Sequence, residues 1–205
     1  MNELLLRRRA ASAKPYDAEV EWIQASGGAY IDTGIKAAGN LVIKARLINY
    51  FSTDFYGKWA FGGRNAYNNT QFGLFIDPDT HKLRFAYQNG VQEKSLYSSY
   101  PNPCDVEIGG GTLKVGGTTY TYTQRSFTSN YNLWLFMLNN GGGHGGTAIG
   151  LKMGAAYVSN GITTLDLIPV RKGTEGYFYD RVSGVLIGNS RDIGNFIPGN
   201  DVTNV

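Results

Sequence analysis

The sequence has few of the residues that build metal sites and disulfides. It contains one cysteine, Cys104, and two histidines, His81 and His144, among 205 residues. A single cysteine excludes a disulfide within the chain. A zinc site needs four ligands, or three and a water, at suitable spacing, and these residues do not provide that spacing. We therefore predict that the protein holds no metal and no cofactor.

Long apolar runs are also missing. No segment approaches the roughly 20 apolar residues that a membrane helix needs. The leucines Leu4, Leu5 and Leu6 precede the arginines, which is the reverse of the order in a secretory leader. We expect a soluble chain that is made in the cytoplasm and stays out of the membrane.

Charge is scarce, and the excess lies at one end. Charged residues make up 17% of the chain, and the net charge is +3. Residues 1–14 hold four basic residues and one acidic residue, so the remaining chain has 15 of each sign. A balanced body is not the basic surface of a nucleic-acid-binding domain. We therefore expect no nucleic-acid partner.

Glycine and tyrosine are abundant instead, with 28 Gly and 14 Tyr. Together with low charge, they indicate many short strands joined by tight turns. One such turn is Val115-Gly116-Gly117-Thr118, which predicts a two-residue hairpin. Apolar and polar residues alternate in AEVEWI, LVIKARLIN, QFGLFID and KLRFAYQ, as on half-buried strands. NLWLFML (Asn132–Leu138) is continuously apolar, which predicts a strand covered on both faces. About a dozen such segments predict an all-β, two-sheet antiparallel sandwich.

The first 17 residues differ from the rest. Residues 3–13 are good helix formers, and Pro15 favours an extended exit. We predict an N-terminal docking arm over 1–17, extended or a short helix, attached to a sandwich domain over 18–205. The alternative is a frayed terminus. The predicted docking residues are the leucines and the arginines that follow them: Leu4, Leu5, Leu6, Arg7, Arg8 and Arg9.

Two carboxylate pairs are the candidates for glycoside hydrolysis. Glu19/Glu21 and Asp105/Glu107 are each spaced two apart on a predicted strand, as acid and nucleophile can be. Both pairs also fit ordinary polar-outward alternation. Neither a nucleophile elbow nor a phosphate-binding glycine loop is present. We predict no enzymatic activity.

Two further acidic turns could bind calcium or cap a hairpin. Asp77 and Asp79 lie in IDPDTHK, and Asp180 lies in GYFYDRVSGVLIGN. Calcium needs several clustered oxygens, whereas Asp also commonly accepts N–H groups in turns. For the second segment we predict a β-hairpin in which Asp180 caps the turn and Gly184 supplies a positive φ.

Aromatic rings with neighbouring polar groups suggest a glycan platform. The alternative is that Trp59 and Phe61 are core residues on one strand. The residues of the predicted platform are Trp59, Arg64, Asn65, Tyr67, Tyr97 and Tyr100.

Two segments resemble a known family. VEWIQASGGAYIDTGI (Val20–Ile35) and LIPVRKGTEGYFYDRVSGVLIGN (Leu167–Asn189) are similar to the opening and closing segments of concanavalin-A-like, laminin-G-like domains of gut Bacteroidales and their bacteriophages. WAFGGRN resembles the family's FGGR strand. Trp22 and Ala29 depart from the usual residues. The matching positions in the closing segment are Arg171, Gly176, Tyr179, Asp180, Gly184 and Asn189.

The resemblance covers about residues 18–198 and implies a jelly-roll of two curved sheets. Members bind carbohydrate or protein, and many are virion parts. The E-x-D-x-x-E strand of the glucanase branch is missing. The expected function is a non-enzymatic structural component of a bacteriophage virion, as a capsid decoration or head-fibre protein. The alternatives are a glycan-binding adhesion module of a phage tail or bacterial surface and, third, a glycoside hydrolase.

The expected partners are other virion proteins, capsid or tail subunits, bound through the arm. The chain would form a homo-oligomer or a many-copy assembly, and its localisation would be the virion. A host or mucosal glycan would be a second partner.

Overall fold

The structure is a computed structural model, and it describes residues 14–50, 57–66, 69–77, 79, 82–88, 90–93, 100–141, 144–146 and 148–203. Within these ranges the protein is all-β and has no helix. Two sheets, sheet I and sheet II, form a sandwich. The strands of sheet I are β1 (Ala18–Glu19), β2 (Ile23–Ala25), β4 (Val42–Ile48), β9 (Cys104–Gly109), β10 (Thr112–Val115), β11 (Thr118–Thr121), β15 (Lys152–Ser159), β16 (Thr164–Lys172), β17 (Glu175–Asp180), β18 (Val185–Ile187) and β19 (Phe196–Pro198). The strands of sheet II are β3 (Ile31–Ala38), β5 (Trp59–Ala66), β6 (Asn69–Ile76), β7 (Leu83–Gln88), β8 (Gly90–Glu93), β12 (Thr128–Leu135), β13 (Leu138–Asn139) and β14 (His144–Gly145).

Pairing is antiparallel in both sheets, apart from a two-residue parallel contact between β13 and β5. The main path through sheet I is β11-β10-β9-β4-β15-β16-β17-β18. In sheet II it is β14-β13-β5-β6-β7-β8, with β12 joining β5 to β3. The predicted two-sheet sandwich is therefore confirmed.

The alternating sequences place the core between the sheets, as predicted. On β4, Ile43, Ala45 and Leu47 are buried, whereas Lys44 and Arg46 are exposed. On sheet II, the predicted inward residues join the same core: Phe72, Leu74, Ile76, Leu83, Phe85 and Tyr87. Because successive side chains of a strand point to opposite faces, one local pattern is enough to choose the buried face.

Turn chemistry also follows the sequence. Val115 pairs with Thr118 across Gly116 and Gly117, whose φ values are 54° and 87°. Two positive φ values are what a two-residue type I′ hairpin requires. In the β17–β18 hairpin Gly184 has φ 75°. Both hairpins are therefore as predicted.

The long apolar segment is not one strand. β12 ends at Leu135, and Phe136, which is fully buried, has φ 68°. The N–H of Phe136 donates to the carbonyl of Ala60 (2.7 Å), and the N–H of Ala148 donates to the carbonyl of Phe136 (2.9 Å). These bonds hold the break, after which β13 begins. The prediction that this segment is covered on both faces is confirmed, but the prediction of one continuous strand is wrong.

The opening segment AEVEWI also divides. β1 pairs with β16, whereas β2 pairs with β15. β15 and β16 pair only over Ala156–Ser159 and Leu167–Thr164, so the two strands separate beyond that point. The N-terminal strands and β19 occupy this fork, and Val20 forms a bridge with Asp201. Both ends of the described chain therefore meet in sheet I.

Candidate functional site

The base of the predicted arm is attached to sheet I. The docking residues Leu4 to Arg9 lie outside the described residues. From Lys14 onward the chain is held: the Asp17 N–H donates to the carbonyl of Arg171 (2.9 Å), and the Asp17 carboxylate accepts the Gly173 N–H (2.7 Å). The Tyr16 ring lies 5.0 Å from the Tyr179 ring. The segment at the base of the predicted arm is therefore anchored to the sandwich.

Lys14 and Tyr16 both reach Glu19. The ammonium nitrogen of Lys14 lies 3.0 Å from Glu19 Oε1, and the Tyr16 hydroxyl donates to the same oxygen at 3.1 Å. The hydrogen bond from Lys14 is the main reason that the pKa of Glu19 is lowered. This carboxylate, one of the catalytic candidates, is therefore held ionised by the base of the arm.

The predicted glycan platform is built mainly from packing contacts. Trp59 is 7% exposed and stacks on Phe75 at 4.3 Å, on the face of sheet II away from the main core. A register shift between Trp59 and Phe61 puts these two residues on opposite faces. A Cβ on Gly62 or Gly73 would come within 2.7 Å of the Trp59 ring. The WAFGG pattern is thus explained by an indole lying flat on glycines.

The other platform residues are distributed. The guanidinium carbon of Arg64 lies 5.9 Å from the Trp59 ring centre. The Asn65 side-chain oxygen accepts bonds from Ser129 Oγ (2.9 Å) and the Asn130 N–H (2.6 Å). Tyr100 packs against the main core, separate from the Trp59 cluster. Tyr67 and Tyr97 lie outside the described residues. Glycan binding by this set stays a prediction.

The second carboxylate pair is neutralised by cations on neighbouring strands. Glu107 lies 3.4 Å from Lys44 and 3.3 Å from Lys114, and Asp105 lies 3.5 Å from Arg46. Burial would raise the pKa of Glu107, but hydrogen bonds from Lys114 and Lys44 outweigh it and lower the pKa. A general acid in glycoside hydrolysis needs the opposite shift.

The two acidic turns use their oxygens within the fold. Asp77 is buried, lies 2.6 Å from the Arg84 guanidinium and accepts the Asp79 N–H at 3.2 Å, as an Asx turn does. Asp180 accepts the N–H groups of Val182 (3.2 Å) and Ser183 (3.0 Å), as predicted. Among the described residues, no group of three or more His, Cys, Asp or Glu is placed to hold a metal ion. The same ranges contain no helix long and apolar enough to cross a bilayer.

Sequence reasoning missed a groove on the outer face of sheet I. Its volume is about 570 Å³, and its floor contains Ala155 and Ala156. Between the pairs Met153–Leu47 and Ala156–Ala45, β15 carries an extra residue, which is a β-bulge. The signal in the sequence is the run of small residues GAA in a strand of otherwise larger ones. Seven polar side chains line the groove: Lys44, Arg46, Asp105, Glu107, Lys114, Tyr157 and Asp166.

Cross-strand pairing aligns five of these side chains in one row. Lys114 is opposite Glu107, which is opposite Lys44. Lys44 is opposite Tyr157, which is opposite Asp166. The Arg181 guanidinium closes the row, with two bonds to the Asp166 carboxylate of 3.0 and 2.8 Å. Facing side chains of opposite charge stabilise neighbouring strands, so this row of side chains also stabilises sheet I.

No protein-family model and no curated protein matches this chain.

Proposed function

We propose that this chain is a non-enzymatic structural component of a bacteriophage virion, bound to other virion subunits through its N-terminal arm. The observation that carries the proposal is the attachment of Tyr16 and Asp17 to sheet I, described above. An arm that starts from a fixed point can set the position of the sandwich once its far end is docked. The sandwich, with the finer jelly-roll curvature that the resemblance implies, would face outward.

The composition of the arm suits docking. Burying a leucine side chain contributes about 1.5–3 kcal/mol, so Leu4, Leu5 and Leu6 would supply most of the binding energy. Exposed ion pairs of Arg7 to Arg9 would contribute only about 0–1 kcal/mol each. These arginines would instead give specificity, because they favour a partner surface that carries carboxylates and disfavour a basic surface.

The state of the carboxylates supports a protein without hydrolytic activity. Glu107 and Glu19 both have lowered pKa values, so neither is set up to donate a proton near neutral pH. Glu21 accepts a bond from the Asn200 amide at 3.3 Å. If the protein hydrolyses a glucan and a Glu21→Gln, Glu107→Gln double variant hydrolyses it equally well, these two residues have no catalytic role.

Many copies on a capsid head suit a short chain with one anchoring arm. Symmetric shells offer identical sites to identical subunits, and the balanced charge of residues 15–205 keeps the body of the protein from competing for nucleic acid. A capsid decoration or head-fibre role follows, with the virion as the location.

The test is deletion of residues 1–13, which leaves the attached segment from Lys14 intact. Particles assembled with the truncated chain should lack it in quantitative gel analysis of purified virions, while its melting temperature stays unchanged. Leu4→Ser, Leu5→Ser, Leu6→Ser in one chain should reduce incorporation more than Arg7→Ala, Arg8→Ala, Arg9→Ala. Incorporation of the truncated chain at the level of the full chain would overturn the proposal.

A further inference from the structure

A second pocket lies where the chain crosses from sheet I to sheet II, between β11 and β12. Its volume is about 490 Å³, and it adjoins the β3–β4 turn, where the Asn40 amide donates to the carbonyl of Asn160 (2.9 Å). We propose that this crossing pocket binds a phosphate monoester of a small organic molecule, with Arg125 as the anchor of the phosphate group. The residues that line the crossing pocket are Asn40, Gln124, Arg125, Ser126, Phe127 and Thr128.

The backbone that carries Arg125 is held in place by the fold. The hydroxyl of Tyr87, a buried residue, accepts the Arg125 N–H (2.9 Å), donates to the Gly39 carbonyl (3.0 Å) and lies 3.1 Å from the Arg125 carbonyl. The Gly39 N–H donates to the Phe127 carbonyl (2.9 Å), and a Cβ on Gly39 would overlap the carbonyl oxygen of Arg125. Because this backbone is ordered before a ligand arrives, the entropic cost of binding is lower.

The charge of the crossing pocket favours an anion. The Arg125 guanidinium is exposed and, within the part of the chain that the structure describes, forms no ion pair. The segments that form or adjoin the pocket, residues 36–42, 122–130 and 159–164, contain Lys36 and Arg125 and no acidic residue. An anion can therefore bind to the guanidinium without displacing a carboxylate, unlike at the groove on sheet I.

The donors of the crossing pocket suit a phosphate better than a carboxylate. A guanidinium forms two parallel hydrogen bonds with two oxygens of an anion. Ser126 and Thr128 are exposed, and among the described residues their hydroxyls have no hydrogen-bond partner, so both can donate to a ligand. A carboxylate has only the two oxygens that Arg125 would already bond, whereas a phosphate offers a third acceptor for the hydroxyls.

The size of the crossing pocket indicates that the phosphate carries an organic group. A volume of about 490 Å³ lies within the range of small-molecule sites and exceeds what a phosphate group alone would fill. Phe127 is half-buried, packs against the main core and supplies an apolar wall. The Gln124 amide donates to the Gly39 carbonyl (3.4 Å), so its donor is directed into the fold. A monoester would place its phosphate on Arg125 and its organic group against Phe127.

The test titrates the full chain with phenyl phosphate at low ionic strength and follows amide chemical shifts. Arg125→Gln should weaken binding about ten-fold or more, because a charge-assisted, two-bond contact is lost, while the melting temperature stays unchanged. Arg125→Lys should restore part of the affinity, since lysine keeps the charge but not the planar pair of donors. Arg46→Gln, the matched control on the outer face of sheet I, should bind as the unmodified chain does. The Ser126→Ala, Thr128→Ala double variant should lose the preference for phenyl phosphate over benzoate.

Several results would overturn the proposal. Failure of phenyl phosphate to bind at millimolar concentration is one. Equal binding by Arg125→Gln and the unmodified chain is another, because the site would then lie elsewhere. Benzoate that binds the unmodified chain as tightly as phenyl phosphate would contradict the assignment of a phosphate, and inorganic phosphate that does so would contradict the organic group. Deletion of residues 1–13 should leave this binding unchanged, so this proposal and the virion role can fail separately.

Discussion

Arg171 holds Asp201 through two parallel hydrogen bonds, Nε to Oδ1 at 2.6 Å and Nη2 to Oδ2 at 2.7 Å. The same guanidinium lies 3.8 Å from Asp17. One side chain of β16 therefore contacts both ends of the described chain. Planar, two-bond pairing of this kind is specific to arginine and is not reproduced by lysine.

Arg171→Ala should lower the thermal midpoint near neutral pH. The Arg171 hydrogen bond lowers the pKa of Asp201 below its ordinary 3.8. A carboxyl whose pKa falls on folding stabilises the fold above its unfolded pKa, and this contribution disappears as pH falls through the folded pKa. The difference between variant and unmodified chain should therefore shrink below about pH 4. Lys172→Ala, which removes the neighbouring charge, should show no such pH dependence in the same melting experiment.

Gly62→Ala should destabilise the fold by about 1–3 kcal/mol through overpacking. The new methyl would lie 2.7 Å from the Trp59 ring and 2.9 Å from the Leu138 side chain. Urea unfolding of a double-mutant cycle with Trp59→Leu tests the cause. In the Trp59→Leu background the cost of Gly62→Ala should fall, because the smaller side chain leaves room. Additive costs would mean that the indole does not set the requirement for glycine.

Asp180→Ala should cost about 3 kcal/mol, because several donors lose a buried charged acceptor at once. The Asp180 carboxylate is 1% exposed and also accepts the Asp166 N–H at 2.9 Å and a bond from Ser183 Oγ at 2.6 Å. Burial would raise its pKa, but the bonds from Ser183, Asp166 and Val182 outweigh burial and lower it. Urea unfolding measures the loss. Asp192→Ala, at an exposed carboxylate, should change the unfolding free energy by less than about 0.5 kcal/mol.

Cys104 should report unfolding. The thiol is fully buried, and burial raises its pKa from 9.0 to about 11. Near neutral pH its thiolate fraction is then about a hundred-fold lower than that of an unperturbed thiol, and the reagent has no access to it. A thiol-specific chromogenic reagent should react slowly with the native protein and rapidly in denaturing urea. Equal rates in the two conditions would contradict this burial.

Local patterns could be predicted from the sequence, and contacts between distant segments could not. The alternation in β4 and the glycine pair Gly116–Gly117 depend on neighbours in the chain, so both were correct. The bulge that separates Trp59 from Phe61 inserts one residue, which a strict period of two cannot show. The break at Phe136 depends on backbone bonds to Ala60 and Ala148.

The candidate sites follow the same division. The carboxylate pairs were visible as a spacing, but their cations come from β4 and β10, which only strand pairing brings alongside. The groove lies where Ala155 of β15 adjoins Arg46 of β4, which only strand pairing brings alongside. The chain fork that brings Arg171 to Asp201 joins residues 30 positions apart, and no short-range pattern encodes it.

The fork in sheet I also determines where a foreign peptide can be grafted. Both ends of the described chain meet beside Arg171, whereas the turn from Asn160 to Thr163 lies at the other end of β16, roughly 23 Å away at about 3.3 Å per residue. Ile162 in that turn is 95% exposed, and exposed turns accept insertions most readily. An epitope inserted after Gly161 would therefore lie far from both described ends of the chain, which makes this turn the preferred insertion point in the sandwich.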